Sequence, residues 1–222
     1  KNHLVEGDAQ ILSNMSFAEQ RKSGGWDALN RLHNEKVNAW YLAAYGDSVK
    51  FHVYLTKPLS GSDLKGFKLR SAPNYQAFFQ ALGATTVVTP PNEVYVALER
   101  GVIDGYGWPL WGIHDLGWDK FTKFRVDPGF YLVSVNILIN LTRWNAMSVP
   151  QRDFLTRMGH WLEAEDAPKW SRERSVLEAK RQDESGIKII DLGPEFARRA
   201  ESIYWDELAK ASPTTIPKLK QL

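Results

Sequence analysis

The sequence predicts an α/β fold. Between residues 63 and 109, strand-like and helix-like segments alternate in the order strand, helix, strand, helix, strand. Each crossover takes somewhat over a dozen residues, the length that a parallel connection needs. A long helical segment over residues 151–184 contains Pro168, and a proline inside a helix removes a backbone hydrogen bond and kinks the helix. We therefore expect a βαβαβ parallel unit and a long kinked helix that crosses between two lobes.

The segments before the parallel unit are helical first and extended afterwards. Ser16 and Glu19 form a capping-box pattern, and glycines at 24 and 25 interrupt the helix before helical spacing resumes. The apolar run over residues 37–44 has the length of a buried strand, and residues 51–55 are typical of another strand. The sequence thus predicts an interrupted helix followed by two strands.

The element boundaries inside the parallel unit come from caps and helix breakers. Asn74 and Asn92 are expected to cap its two helices, because an Asn side chain accepts hydrogen bonds from free N–H groups at a helix start. Gly83 and Gly101 are expected to end these helices. The predicted helices cover residues 75–82 and 93–100, the strand between them covers residues 85–89, and the third strand begins at residue 102.

Beyond the parallel unit the pattern is less regular. The predicted elements are an irregular helix over 111–123, a central strand over 131–141, the long helix, a short strand over 187–190 and an amphipathic helix over 194–210 with a polar tail. From this order we expect two domains. The first comprises residues 1–47 and 134–173, and the second comprises residues 48–133 and 174–222.

Composition excludes several classes of function. The 222 residues are 43% hydrophobic and 24% charged, with a net charge of +2 and basic residues interleaved with acidic ones, so nucleic acid is not an expected partner. No segment approaches the roughly 20 apolar residues of a membrane span, so no membrane insertion is expected. The absence of cysteine excludes disulfides, thiolate metal sites and cysteine nucleophiles. A start at Lys1, without Met or signal peptide, is expected of a processed form or a fragment.

Signals of catalysis are weak. The five histidines show no metal-ligand spacing, and no phosphate-binding or dinucleotide-binding motif occurs, so neither a metal nor a cofactor is expected. His114 and Asp115 form a candidate acid–base pair, but neighbouring residues on a helix point in different directions. The lack of a catalytic constellation favours binding over catalysis.

Arg70 is the candidate binding residue that the pattern itself offers. It ends the first strand of the parallel unit, and ligands bind at the edge where the carboxyl ends of parallel strands meet. Its planar guanidinium donates two parallel hydrogen bonds and therefore suits a carboxylate. Pairing with a structural Asp or Glu elsewhere in the chain is the alternative, and spacing alone leaves both interpretations open.

The runs DLKGFKLR, ALGA and PPNEVYVALERGVIDG carry a family resemblance. They resemble the solute-binding proteins of tripartite ATP-independent periplasmic (TRAP) transporters, whose pattern is roughly DLKGLKIR, then ALGA, then a Glu-Val-Tyr-x-Ala-Leu helix leading to Gly-Val-Val-Asp-Gly. The later run NILINLTRWNAMSVPQRDFL is also similar to a family segment. The resemblance extends from about residue 37 to the last helix, and family members are longer at the N-terminus.

The resemblance implies a two-lobed periplasmic-binding-protein-like fold and an exported, periplasmic protein. Such a protein is not an enzyme and carries no cofactor. It closes on a small organic acid, binds it by its carboxylate and delivers it to the membrane permease subunits of a TRAP transporter. Two alternatives remain. One is a ligand-sensing module that feeds a receptor, and the other is an enzyme on a similar scaffold that uses His114 with Asp115, or His52, as its base.

The resemblance also implies roles for particular residues. Arg70 occupies the position of the carboxylate anchor, and either Lys50 or His52 occupies that of a second basic residue. Trp108 stands where the family commonly has a ligand-binding Asn, which indicates an aromatic or branched 2-oxo acid, with a C4-dicarboxylate as the alternative ligand. Packing at the hinge is the alternative role for Trp108. Two further candidates complete the expected ligand-binding set, Asn74 and Trp111.

Overall fold

A computed structural model describes residues 4–222. The strands in this range are β1 (Ala39–Tyr45), β2 (Phe51–Leu55), β3 (Lys68–Ser71), β4 (Thr85–Val88), β5 (Gly105–Pro109), β6 (Phe124–Asp127), β7 (Val135–Asn140) and β8 (Lys188–Asp191). The α-helices in this range are α1 (Phe17–Ser23), α2 (Gly25–Val37), α3 (Pro73–Ala81), α4 (Pro91–Glu99), α5 (Leu141–Ala146), α6 (Val149–Trp161), α7 (Ala167–Glu184), α8 (Pro194–Ala211) and α9 (Ile216–Leu219). The mixture confirms the predicted α/β class.

The chain divides into two compact units. Unit 1 comprises the described residues up to Ser48, Leu132–Arg172 and Trp205–Leu222, and unit 2 comprises Val49–Tyr131 and Glu173–Tyr204. The grouping differs from the predicted domains at the C-terminus, where the prediction assigned residues 174–222 as a whole to the second domain. Leu219 of α9 packs against the unit 1 cluster of Phe17, Leu29, Tyr41 and Ala44, which accounts for the difference.

Unit 2 contains the sheet that positions the candidate site. Its strand order is β4-β3-β5-β2-β6-β8, with β3 parallel to both β4 and β5. This parallel trio and its two crossover helices, α3 and α4, confirm the predicted βαβαβ unit. Strand β2 is antiparallel to β5 and β6, so its first residue lies at the same edge as the last residues of β5.

Two core layers flank this sheet. On one side a cluster centred on Tyr54, Tyr106 and Trp118 packs against α4 residues Val94 and Leu98. On the other side an aromatic cluster forms around α3, with Tyr75, Phe78 and Phe79 against Phe130. These layers hold the strand ends of unit 2 in fixed register because each large ring is almost fully buried.

The starts of α3 and α4 differ from the sequence prediction. Neither Asn74 nor Asn92 is a cap, because α3 begins at Pro73 and α4 begins at Pro91, each with proline in its first turn. Proline is favoured there, since its fixed φ suits a helix and the first N–H groups have no partner within the helix. The third strand also starts later than predicted, at Gly105.

Two other predictions are wrong, namely the helix over 111–123 and the central position of the strand over 131–141. Residues 111–123 form turns and one short 3-10 segment (Trp118–Lys120), because Gly112 and Gly117 adopt positive φ angles of 95° and 69° that interrupt a helix. The predicted central strand is β7, whose one partner among residues 4–222 is β1, in a two-stranded antiparallel sheet of unit 1 that leaves Val135 52% exposed. An apolar run therefore indicated the strand without indicating its burial.

The long helix changes its hydrogen-bonding pattern just before Pro168. A π-helical turn, Leu162–Asp166, connects α6 directly to α7. Within this turn Glu163 is buried, pairs with Arg21 and accepts a hydrogen bond from the backbone N–H of Ala44 at 2.8 Å. A π-turn is one of the recognised causes of a helix bend, so the irregularity lies where the sequence predicted a kink.

Helices in the described part of the chain are too short or too polar for a bilayer crossing.

Candidate functional site

The candidate site lies in unit 2, at the edge of the sheet where β3 and β5 end. Arg70 is the register partner of Tyr106 on one side and of Val87 on the other. Helices α3 and α4 begin at this edge, directly after β3 and β4. The first N–H groups of a helix carry partial positive charge, so the edge combines two helix starts with an arginine.

The Arg70 guanidinium is held by neutral oxygen atoms. Its Nε donates to the carbonyl oxygen of Thr89 at 3.0 Å, and its Nη1 donates to the hydroxyl of Tyr75 at 2.8 Å and to the carbonyl oxygen of Gly107 at 3.3 Å. Arg70 is only 6% exposed. Within residues 4–222 no carboxylate lies within ion-pair distance of it. A buried cation without a counter-ion is costly, and an anionic ligand would relieve that cost.

Tyr75 connects Arg70 to β5. Its hydroxyl accepts from Arg70 and donates to the carbonyl oxygen of Gly107 at 2.9 Å. Burial raises the pKa of Tyr75 to about 12, although the charge of Arg70 opposes the rise, so the phenol stays neutral at physiological pH. A Cβ atom at Gly107 would meet Cε2 of Tyr75 at 2.6 Å. Only glycine at 107 therefore leaves room for the tyrosine ring.

Trp108 forms one wall of this edge. The guanidinium carbon of Arg70 lies 5.4 Å from the centroid of the Trp108 ring, which is a cation–π arrangement. Trp108 also contacts Trp118 edge-on, with ring centroids 4.8 Å apart. The structure therefore brings Arg70 and Trp108 together, as two members of the predicted ligand-binding set.

His52 lies opposite Trp108 in the β2–β5 register but bonds to a different group. Its Nδ1 lies 2.9 Å from Oδ1 of Asp127 and 3.1 Å from the carbonyl oxygen of Val126, so Nδ1 carries the proton. Arg125 binds the same carboxylate through two hydrogen bonds of 2.9 Å. Burial alone would raise the pKa of Asp127, but the bonds from His52 and Arg125 hold it far below its usual range.

In the described chain, the remaining predicted residues form no hydrogen bond or ion pair with Arg70. Lys50 is half-buried, and its charge opposes the rise that burial causes in the pKa of Glu201 on α8. Trp111 donates from Nε1 to the hydroxyl of Ser175 on α7 at 3.0 Å. Asn74 is the second residue of α3, half-buried, at the helix start beside Arg70 in the chain.

The candidate acid–base pair, His114 and Asp115, bonds to residues of unit 2 other than Arg70. His114 Nε2 lies 2.9 Å from the hydroxyl of Ser185, and its Nδ1 lies 3.5 Å from the buried carboxylate of Glu178. A catalytic triad has the same sequence of hydroxyl, imidazole and carboxylate. A nucleophile of this type needs free N–H groups nearby to stabilise an oxyanion. The N–H groups of Ser185 and Gly186 both bond to carbonyls of the preceding helical turn, and Asp115 pairs with Arg174. These two N–H groups are therefore not available to stabilise an oxyanion at Ser185.

Sequence reasoning missed three groups that hold Arg70, namely the Tyr75 hydroxyl and the carbonyl oxygens of Thr89 and Gly107. A glycine inside a strand indicates that another group approaches the backbone closely, so Gly107 was the sequence signal that could have revealed the Tyr75 contact. Within residues 4–222, no group of three or more His, Asp or Glu side chains is arranged to hold a metal ion.

Comparison with known proteins shows the family. The family model of bacterial extracellular solute-binding proteins, family 7, matches residues 13–209. The chain is also 37% identical over 137 residues to a monocarboxylate 2-oxoacid-binding periplasmic protein of Nostoc sp.. That match covers 59% of this chain and 37% of the length of the Nostoc protein.

Solved structures show the same fold. A TRAP periplasmic solute-binding protein from Desulfovibrio salexigens, with bound orotic acid, gives a TM-score of 0.82 at 16% identity over 98% of this chain and 75% of that one. A second, from Rhodoferax ferrireducens with bound malonate, gives a TM-score of 0.76 at 20% identity over 92% and 69%. At such identities these likenesses show the fold alone, but they agree with the resemblance seen in the sequence motifs and with the family match. The chain belongs to the bacterial extracellular solute-binding proteins of family 7.

Proposed function

We propose that this protein is a periplasmic solute-binding protein that captures a small organic acid by its carboxylate and delivers it to the permease of a TRAP transporter. The observation that carries the proposal is the buried Arg70 guanidinium, which has only neutral partners in the described chain. A carboxylate would supply the missing counter-charge through charge-assisted hydrogen bonds. In this proposal the protein binds its ligand and does not transform it.

Monocarboxylic 2-oxo acids are the proposed ligand class. The Nostoc relative is described as binding 2-oxo monocarboxylates, and Trp108 offers an apolar ring beside Arg70. His52, one of the two candidate second anchors, is oriented by the carboxylate of Asp127. A second ligand carboxylate would therefore compete with the carboxylate of Asp127 at His52, which favours monocarboxylates over C4-dicarboxylates.

Calorimetric titration with a panel of acids tests the proposal. The panel contains pyruvate, 2-oxobutanoate, 4-methyl-2-oxopentanoate, phenylpyruvate, succinate and malate. We expect stoichiometric binding of at least one 2-oxo acid, no binding or weaker binding of the dicarboxylates, and recovery of the acid unchanged. Failure of every acid to bind would contradict carboxylate capture, and tighter binding of succinate would contradict the ligand class.

A ligand-sensing role has the same binding chemistry. If a receptor subunit rather than a transporter permease co-purifies with the ligand-loaded protein, the delivery part of the proposal is wrong while carboxylate capture stands.

A further inference from the structure

Unit 1 contains a recess that is separate from the Arg70 site of unit 2. It has a volume of about 210 Å³, and its lining comes from the 3-10 segment Val5–Leu12, from α2 and from β7 with the residues next to it. Ile11, Val37 and Leu138 give it apolar walls. A cavity of about 150 Å³ takes one benzene-sized molecule, so this recess has room for a small organic molecule.

His33 brings a hydrogen-bond acceptor to this recess. Its Nδ1 lies 2.8 Å from the carbonyl oxygen of Leu29, so Nδ1 carries the proton. Burial lowers the pKa of His33, although the bond to Leu29 opposes the change, so the ring is neutral at physiological pH and Nε2 has a lone pair. No donor among residues 4–222 bonds to Nε2, yet Nε2 is not sealed from solvent. Since His33 lines the recess, the recess contains an unused acceptor.

Asn136 brings a hydrogen-bond donor to the same recess. Its Oδ1 lies 2.7 Å from Oγ of Ser134 and 3.4 Å from the hydroxyl of Tyr41, so the amide oxygen is the end that the protein holds. Nδ2 bonds to no acceptor in the described part of the chain and, like Nε2 of His33, is not sealed from solvent. A largely apolar concave surface with a few unpaired polar atoms is typical of a small-molecule site.

We propose that this recess binds a small neutral molecule of the primary carboxamide class, which carries both a hydrogen-bond donor and an acceptor. The ligand N–H donates to Nε2 of His33, and the ligand carbonyl oxygen accepts from Nδ2 of Asn136. The inference goes beyond the proposed function, because it concerns a second site with a different ligand chemistry.

Charged ligands fit the recess less well than a carboxamide. An ammonium ion has only donors, and one of them would face the Asn136 donor. A carboxylate has only acceptors, which would face the lone pair of His33 and the negative charge of Asp8, another residue that lines the recess. Burial of either ion would also cost more than burial of a neutral amide. The recess therefore selects against the acids that are proposed for Arg70.

An NMR titration with three compounds that share one branched chain tests the proposal. These compounds are isobutyramide, isobutyrate and isobutylamine, each added to the wild-type protein at about pH 7. We expect isobutyramide to shift the ring signals of His33 and the side-chain amide signals of Asn136, with a Kd on the order of 1 mM. The two ions should leave these signals unchanged at the same concentration. Absence of a shift with isobutyramide, or a larger shift with either ion, would overturn the proposal.

Two substitutions separate contact with the ligand from an effect on the fold. Asn136→Asp replaces the donor by an acceptor of the same shape, so it should reverse the preference from isobutyramide to isobutylamine. His33→Phe keeps a ring but removes the acceptor, and should raise the Kd of isobutyramide about tenfold. The matched control is His160→Phe on the exposed side of α6, which should change this Kd by less than about twofold. An unchanged preference in Asn136→Asp, or equal losses in the two histidine variants, would refute the assigned contacts.

Discussion

The substitution Gly107→Ala tests how tightly the Arg70 support is packed. The added Cβ would lie 2.6 Å from Cε2 of Tyr75, 3.0 Å from its Cζ and 3.0 Å from Cζ of Phe79. An ordinary carbon–carbon contact is about 3.6 Å, so the Tyr75 ring must move by about 1 Å. Both rings are almost fully buried and are backed by Phe130 with centroids less than 6 Å away.

This displacement sets the magnitude of the expected effect. Overpacking a filled core costs about 1–3 kcal/mol, and the buried aromatic surroundings of Gly107 indicate the upper part of that range. A shift of about 1 Å also lengthens the 2.8 Å bond between Tyr75 and Arg70 beyond hydrogen-bonding distance. We therefore expect Gly107→Ala to lower the free energy of unfolding by about 2–3 kcal/mol and to raise the ligand Kd by about tenfold.

Urea unfolding followed by tryptophan fluorescence, together with calorimetric titration, measures both effects. The matched control is Gly7→Ala in unit 1, where the nearest atoms to an added Cβ are at 3.9 Å, an ordinary contact. Gly7→Ala should not lower the free energy of unfolding and should raise it by up to about 1 kcal/mol, because alanine fits this helical site without strain. A Gly107→Ala protein that unfolds and binds like wild type would refute the proposed packing of Tyr75 against β5.

Two further substitutions test charged groups outside the Arg70 site. Asp127→Asn should destabilise the protein by roughly 1–3 kcal/mol at pH 7, because it weakens the bonds from His52 and Arg125. The pKa of Asp127 is lowered in the folded protein, so the stabilisation by its ion pairs is fully present above the usual pKa of a carboxyl group. This stabilisation is lost as the pH falls from there through the lowered pKa. The difference in urea midpoint from wild type should therefore shrink below about pH 4, and a constant difference down to pH 2 would contradict the ion pair. Glu163→Ala should lower the free energy of unfolding by about 3 kcal/mol, since it leaves Arg21 without its carboxylate, and a loss below 0.5 kcal/mol would contradict a structural role for the π-turn.

The parallel unit could be predicted from the sequence because its signals are local. Apolar runs, helix breakers and crossover lengths each act within a few residues, and they gave β3, α3, β4 and α4 in the right order. Helix starts at Pro73 and Pro91 were missed because two residue types competed for the same turn, and proline in the first turn prevailed over Asn as a cap.

The burial of β7 could not be predicted in this way. Its sequence, VNILIN, has the apolar character of a central strand, yet the strand has only β1 as a partner in the described chain. Strand propensity reports a fit to a pleated surface and does not report which neighbours cover that surface.

Part of the candidate site was also predictable. The position of Arg70 at a strand end followed from the βαβαβ order, whereas the candidacy of Trp108 followed from the family resemblance. The roles of Tyr75 and Gly107 depend on contacts across the sheet between residues that are 32 positions apart in the chain. No local pattern specifies such a contact, so the support of Arg70 by Tyr75 became visible only in the structure.

The central claim is that the buried guanidinium of Arg70 binds the ligand carboxylate. The most direct measurement is the calorimetric Kd of the tightest-binding acid for wild type, Arg70→Met and Arg100→Met. Arg100 is exposed at the end of α4, so its substitution makes the same charge change without touching the site. We expect Arg70→Met to weaken binding by about 2–5 kcal/mol and Arg100→Met to leave it unchanged. Binding of the acid by Arg70→Met as tightly as by wild type would contradict the account.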